Sequence, residues 1–342
     1  MAYTLKLDIF YFTLNKIIER YERKTKAGTR IGYKTEKEDS KFNDFVKSFV
    51  YKKENDEFMN SFLEDFISGF NSSFKSNKND TQAMSITTDS IRAFDSKKYT
   101  VWGVFKGGSM GINREIYKSN DANNIKNTIY EDDVTSLSYF YKVWFPKDST
   151  IGILMIQGYT STSLSCSVLF KEQLGEYFIS KGYKPNWGKF VPKEYIEKYL
   201  KNGYLNGLQI IHSKKDEKTP LVPIFKPFQK ATRKSVLSKF QIALSDILSL
   251  PNYKKILKES ILAVDTEYDE RYDRVKLFYT SDGKSAHTTL ADIENILPAI
   301  ILDDELKDSD TQLPKWEELN KFTNDMLENI KKQIGYTPKL LR

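Results

Sequence analysis

Residues 4–14 alternate between apolar and polar side chains, which predicts a strand with one buried face. The apolar positions of this strand are Leu5, Leu7, Ile9 and Tyr11. The stretch 24–40 is polar and punctuated by glycine, so we expect a loop there. Beyond it, apolar residues recur at helical spacing over 42–50, and phenylalanine recurs at every fourth position from Phe58 to Phe70. This pattern predicts helices whose aromatic face lies in the core.

Aromatic and β-branched residues then concentrate in short segments separated by turn-forming residues, a pattern typical of strands. The predicted strands are 84–88, 99–106, 113–118, 137–145 and 151–157. Together they indicate an antiparallel sheet. Because paired glycines tolerate the positive backbone angles of tight turns, Gly107-Gly108-Ser109 is predicted to join two of these strands as a hairpin.

The last of these strands leads into a hydroxyl-rich turn and then into a helical pattern over 164–180. Ser161 or Ser163 in the turn is expected to cap this helix. The alternative is that the turn holds a phosphate at the positive end of the helix dipole.

The C-terminal half is predicted to combine helices with a few strands. The expected elements are a helix at 192–200, a strand at 208–212, helices at 235–250 and 256–261, two strands around Ser281-Asp282-Gly283, and a helix at 315–334. Prolines at 220, 223 and 227 mark an extended connector. We therefore predict a mixed α+β protein with three parts. They are an N-terminal lobe (1–217) with a largely antiparallel sheet flanked by helices, a basic connector (218–234) and a smaller helix-rich C-terminal lobe (235–342).

Two histidines and one cysteine in 342 residues exclude most metal and nucleophile chemistry. Cys166, His212 and His287 lie too far apart in sequence for a structural zinc site, and the apolar setting of Cys166 favours a buried thiol. The chain also has no apolar run of membrane-spanning length and no signal-like N-terminus. We therefore expect a cytoplasmic protein with no membrane partner and no cofactor.

A net charge of +7 favours polyanionic partners, and the positive charge is concentrated in residues 214–239. The basic residues singled out there as nucleic-acid contacts are Lys214, Lys215, Lys226, Lys230, Arg233 and Lys234. Phe225 and Phe228 interleave with them, a combination suited to following a phosphate backbone and stacking on a base. The simpler interpretation is a solvated linker and helix face, with the two phenylalanines anchored in the core.

A metal-dependent nuclease is the catalytic alternative. Asp265 and Glu267 stand two residues apart at the end of a predicted strand, as in two-metal exonucleases of the ribonuclease-H-like type. His287 and Asp292 have the downstream His-x4-Asp spacing of that site, and Mg²⁺ or Mn²⁺ would be its cofactor. The two motifs lie much closer together here than in that family, so the sequence favours a non-catalytic role.

Residues 137–212 resemble a segment of uncharacterised bacterial proteins found beside phage-defence and mobile-element genes. The segment contains IGILMIQGYTSTSLSCSVLFKEQLGEYF and VPKEYIEKYLKNGYLNGLQIIHS. Relatives often carry Arg or Lys in the turn where this chain has residues 160–163, so the resemblance transfers neither a phosphate contact nor a catalytic residue. It implies a non-catalytic or sensor component of an anti-phage defence complex that binds nucleic acid or a phage-derived partner. A protein–protein scaffold is the third possibility.

Overall fold

The computed structural model describes the chain in fourteen segments. They are residues 4–25, 28–47, 62, 64–70, 73–87, 89–95, 97–146, 148–160, 165–212, 233–249, 251–264, 274–281, 284–290 and 299–337. Strands make up 47% of the described residues and pair antiparallel, and the described part of the chain also contains six α-helices. The predicted antiparallel sheet combined with helices is therefore confirmed. None of the described helices is long and apolar enough to cross a membrane.

The chain divides into two compact units at boundaries that the connector prediction does not anticipate. Unit 1 comprises Met1–Phe190 and Ala299–Arg342, and unit 2 comprises Val191–Pro298. The C-terminal helix thus belongs to the N-terminal unit. Most of the predicted connector 218–234 lies outside the described residues, and the division into a sheet lobe and a helix-rich lobe stays a prediction.

Unit 1 is built on a ten-stranded sheet in which β11, β1, β10, β9, β6, β4 and β3 lie in that order, with β2 and β16 paired to β1 and β5 paired to β6. Its strands are β1 (Leu5–Thr25), β2 (Gly28–Thr35), β3 (Lys75–Ser76), β4 (Gln82–Ser85), β5 (Arg92–Asp95), β6 (Thr100–Ser109), β9 (Thr135–Trp144), β10 (Gly152–Tyr159), β11 (Tyr183–Phe190) and β16 (Ile300–Ile301). A separate hairpin joins β7 (Arg114–Lys118) to β8 (Asp121–Ile129). The helices of the unit are α1 (Phe42–Lys47), α2 (Ser167–Ser180) and α6 (Trp316–Gln333).

The aromatic stripe predicted from its four-residue spacing forms core, as expected. Phe62, Phe66 and Phe70 are buried. The ring centroid of Phe66 lies 6.0 Å from that of Phe170 and 5.4 Å from that of Tyr177, both on α2. Phe58, the first member of the stripe, lies outside the described residues.

The helix predicted at 164–180 is present as α2, but it is not capped as expected. Its N-cap residue is Cys166, whose side chain makes no capping hydrogen bond. Ser161 and Ser163 lie outside the described residues.

The first strand is much longer than its apolar alternation predicts. β1 extends over 21 residues, and its second half pairs with β2. The loop expected at 24–40 is therefore wrong over Gly28–Thr35. Most side chains of the paired segments are exposed, including Ile18, Tyr21 and Ile31. Because neither face of this hairpin is buried, its sequence lacks the period-two apolar signal that identifies a half-buried strand.

The glycine hairpin predicted at 107–109 is also wrong. Gly107 and Gly108 lie inside β6, where they pair with Leu137 and Ser136 of β9. An ideal Cβ on Gly107 would come within 2.7 Å of the Cys166 sulfur, and one on Gly108 would overlap the carbonyl oxygen of Thr135. Close approach of neighbouring backbone and side chains, not a turn, explains these glycines.

Unit 2 contains a four-stranded antiparallel sheet in the order β13-β12-β14-β15. Its elements are α3 (Lys193–Asn202), β12 (Tyr204–His212), β13 (Arg233–Ala243), α4 (Leu244–Ser249), α5 (Tyr253–Val264), β14 (Arg274–Ser281) and β15 (Lys284–Thr289). Leu208, Ile210, Leu277, Ile247 and Ile261 contribute to the core between sheet and helices. The helix predicted at 235–250 is wrong over its first part, because residues 235–243 pair with β12 as a strand.

Candidate nucleic-acid interface

Most of the basic residues singled out from the sequence belong to the segment 213–232, which the structure does not describe. Lys214, Lys215, Lys226 and Lys230 lie outside the described residues. Arg233 and Lys234 begin β13, where their backbones pair with His212 and Ile211.

The nuclease residues are not brought together in the described part of the chain. Asp265, Glu267 and Asp292 lie outside it, and His287 lies in β15, exposed and opposite Phe278. Residues 261–264, which were expected to form a strand leading into Asp265, instead end helix α5. Among the described residues, no three His, Cys, Asp or Glu side chains form a group able to hold a metal ion.

Cys166 is a core residue, as its apolar setting predicts. The thiol is buried, and this burial raises its pKa to about 11. A reactive cysteine needs the opposite shift, because the thiolate is the nucleophile. Cys166 therefore contributes packing against β6 and not nucleophilic chemistry.

A basic, exposed hairpin provides a better candidate interface. We call residues 19–25 of β1 and 28–34 of β2 the basic ribbon. Among the described residues they pair only with each other, whereas β1 up to Lys16 is covered by neighbouring strands. The charged side chains of the ribbon are Arg20, Arg23, Lys24, Arg30, Lys34, Glu19 and Glu22. Five basic against two acidic side chains give it a net charge of +3, and all seven are exposed.

Near its tip the ribbon places two arginines directly opposite each other. Arg23 and Arg30 are register partners, so their side chains leave the same face of the hairpin. Like charges at such positions destabilise a strand pair. No described carboxylate forms an ion pair with either arginine. Repulsion between the two arginines therefore lowers the stability of the hairpin.

An aromatic ring occupies the same face of the ribbon. Tyr21 precedes Arg23 by two residues and is the register partner of Gly32. Its ring lies over this glycine, since an ideal Cβ there would come within 2.5 Å of the Tyr21 Cζ atom. Tyr21 remains 46% exposed. The face thus combines two guanidinium groups with a supported aromatic surface.

These groups match the chemistry of a nucleic acid. Each guanidinium group can donate two parallel hydrogen bonds to phosphate oxygens, and aromatic rings stack on bases. A two-stranded ribbon also has the width that the major groove of B-form DNA admits.

The ribbon has a weaker sequence signal than the basic stretch around the prolines, because acidic and apolar residues lie between its positive charges. The available signal was two basic segments, 20–24 and 30–34, on either side of Gly28.

Comparison of the chain with known proteins finds no matching family model, curated protein or solved structure.

Proposed function

We propose that this protein is a non-catalytic nucleic-acid-binding protein and that the basic ribbon is its contact surface. The observation that carries the proposal is the pair formed by Arg23 and Arg30 on an exposed hairpin. Two opposed cations without an acidic partner cost folding free energy, and a bound phosphate backbone removes that cost by neutralising both.

The ribbon supports binding better than catalysis. Catalytic groups require perturbed acid–base properties and a protected site, whereas these side chains are exposed arginines on a hairpin. Phosphate contacts provide affinity without reading the sequence, so we expect binding that depends strongly on salt and weakly on base sequence.

The cellular role, the location and the further phosphate contacts of the protein are also part of the proposal. An anti-phage defence role rests on the resemblance of residues 137–212 alone, and the cytoplasmic location rests on sequence expectations. The additional phosphate contacts proposed from the sequence are Lys214, Lys215, Lys226, Lys230, Arg233 and Lys234. The nuclease alternative using Asp265 and Glu267, with Mg²⁺ or Mn²⁺, and the scaffold alternative stay predictions.

The double variant Arg23→Gln/Arg30→Gln tests the ribbon. We expect affinity for duplex DNA at low salt to fall by about two orders of magnitude, because two charge-assisted contacts are worth about 3 kcal/mol together. The slope of log affinity against log salt should become shallower by about 2, one unit for each lost phosphate contact. Fluorescence anisotropy with labelled DNA duplexes, DNA single strands and RNA hairpins measures both quantities.

A matched control removes two charges from the other exposed hairpin, with Lys118→Gln/Lys126→Gln in β7 and β8. This control should bind as the original protein does, and circular dichroism should show both variants folded. An unchanged salt slope in the arginine variant, or an equal loss in the control, would refute the ribbon as the interface.

A further inference from the structure

A second cationic site lies in unit 1, and none of its lining residues belongs to the ribbon. It is a pocket of about 210 Å³ between the turn that precedes β6 and the last turns of α6. The turn contributes Lys97 and Lys98, and the helix contributes Lys331 and Lys332. Residues more than 200 positions apart in the sequence therefore converge on one pocket.

The charge of this pocket is only partly compensated. Its four lysines meet the lining carboxylate of Glu328 and two carboxylates that contact lining residues, Asp95 and Asp148, which leaves a net charge of +1. Glu328 pairs with Lys331 at 2.7 Å, and Lys98 reaches Asp95 at 3.7 Å. Neither Lys97 nor Lys332 forms an ion pair with a described carboxylate. Like charges gathered in a pocket repel one another, so an anion bound among them would relieve that repulsion.

A buried lysine lies close enough to the pocket lysines to respond to their charges. Lys142 of β9 is 1% exposed, and its Nζ donates hydrogen bonds to the Asn320 carbonyl oxygen at 2.9 Å and to Asn324 Oδ1 at 2.7 Å. Burial, and then the charges of Lys98 and Lys331, lower its pKa to about 7, while Asp325 opposes them. The charges of two pocket lysines therefore disfavour a further positive charge at Lys142.

The aromatic walls of the pocket are held in place. Trp144 packs edge to face against Tyr336, with ring centroids 5.0 Å apart, and the Tyr336 hydroxyl donates to Asp148 at 3.1 Å. The Lys331 ammonium lies 5.4 Å from the Trp144 ring centroid. Tyr99 has a φ of 55°, a conformation that costs a bulky residue free energy and that clusters at functional sites.

We propose that this pocket binds the diphosphate group of a small phosphorylated molecule. Lysines bind phosphate as flexible point charges, and four of them suit a ligand that carries several negative charges. The volume lies below the roughly 300 Å³ at which pockets for drug-sized ligands begin, so it fits a phosphate group better than a whole nucleotide. Trp144 is buried and leaves no ring face for a base. The pocket thus recognises phosphate, and the rest of the ligand lies outside.

Isothermal titration calorimetry of the full chain with inorganic pyrophosphate and with ADP tests this site. We expect one site per chain, with a Kd below about 1 mM at low salt for both ligands. Lys98→Gln/Lys332→Gln should weaken both ligands by about tenfold or more, equivalent to about 1.4 kcal/mol. The control Lys118→Gln/Lys126→Gln should bind them unchanged, and so should the ribbon variant Arg23→Gln/Arg30→Gln.

Several results would overturn the pocket assignment. They are the absence of pyrophosphate binding at millimolar concentration, ADP binding without pyrophosphate binding, or equal affinity in the pocket variant. A loss of duplex DNA binding in Lys98→Gln/Lys332→Gln as large as in the ribbon variant would also overturn it, by making these lysines part of the nucleic-acid interface. Thermal unfolding of each variant checks that it is folded.

Discussion

Gly108→Ala is expected to lower the free energy of unfolding by about 3 kcal/mol or more, the upper range for overpacking of a close-packed interior. The new methyl group would overlap the carbonyl oxygen and carbon of Thr135, which belong to the backbone of the neighbouring strand β9. A backbone carbonyl cannot rotate away as a flexible side chain can. The two central strands would have to separate locally, which breaks ladder hydrogen bonds on both sides of the substitution.

Urea denaturation followed by tryptophan fluorescence measures this change, and Gly158→Ala provides the matched control. Gly158 also lies in a strand of the same sheet, but the nearest atom to its ideal Cβ is Lys6 Cε at 3.1 Å, the end of a flexible side chain. We expect the control to change stability by less than about 1 kcal/mol, since alanine also reduces the entropy of the unfolded chain. Similar stabilities for the two variants would contradict the close approach of β6 and β9.

Lys142→Met is expected to remove a pH dependence of stability that the original protein shows above neutral pH. The pKa of Lys142 falls from its ordinary value of 10.5 in the unfolded chain to about 7 in the folded protein. Between these two values the unfolded state binds more protons than the folded state, so stability rises as the pH rises. Below about pH 7 the full cost of burying the charged ammonium is present in the folded protein.

The size of the effect follows from the pKa difference. Each pKa unit corresponds to about 1.4 kcal/mol, so a shift of this size amounts to a few kcal/mol between pH 7 and pH 10.5. Methionine fills a similar volume without the charge, although it leaves Asn324 Oδ1 without this donor, at a cost of about 1 kcal/mol. The variant should therefore be more stable than the original at pH 7 and should lose that advantage as the pH approaches 10.5.

Denaturation at a series of pH values compares the two proteins directly, because the tyrosines that titrate at high pH are common to both. Lys118→Met, at an exposed position of β7, should leave the pH dependence unchanged. A constant stability difference between Lys142→Met and the original protein over this range would show that Lys142 keeps its ordinary pKa in the fold.

The pattern of apolar and polar residues is sufficient to identify the helices and strands that have one buried face. Alternation identifies the first half of β1, and aromatic or β-branched segments identify β9 and β10. Helical spacing identifies α2 and α6. These predictions succeed because burial of one face imposes its own period on the sequence, two for a strand and 3.6 for a helix.

The basic ribbon and the lysine pocket both lack that apolar pattern, for a physical reason. The basic ribbon is exposed on both faces, so no apolar period marks it, and its strands exist because β1 and β2 pair with each other. The lysine pocket joins Lys97 and Lys98 to Lys331 and Lys332, and no local signal records that residues so distant in sequence will meet.

Tertiary pairing also settled the elements whose local pattern was ambiguous. The apolar spacing of residues 235–243 fits a helix as well as a strand, and pairing with β12 selects the strand. Gly107-Gly108 fits a turn as well as a crowded strand, and the approach of Thr135 and Cys166 selects the strand. Composition and periodicity thus specify which faces are buried. Hydrogen-bond partners and close contacts between distant residues depend on how the whole chain folds.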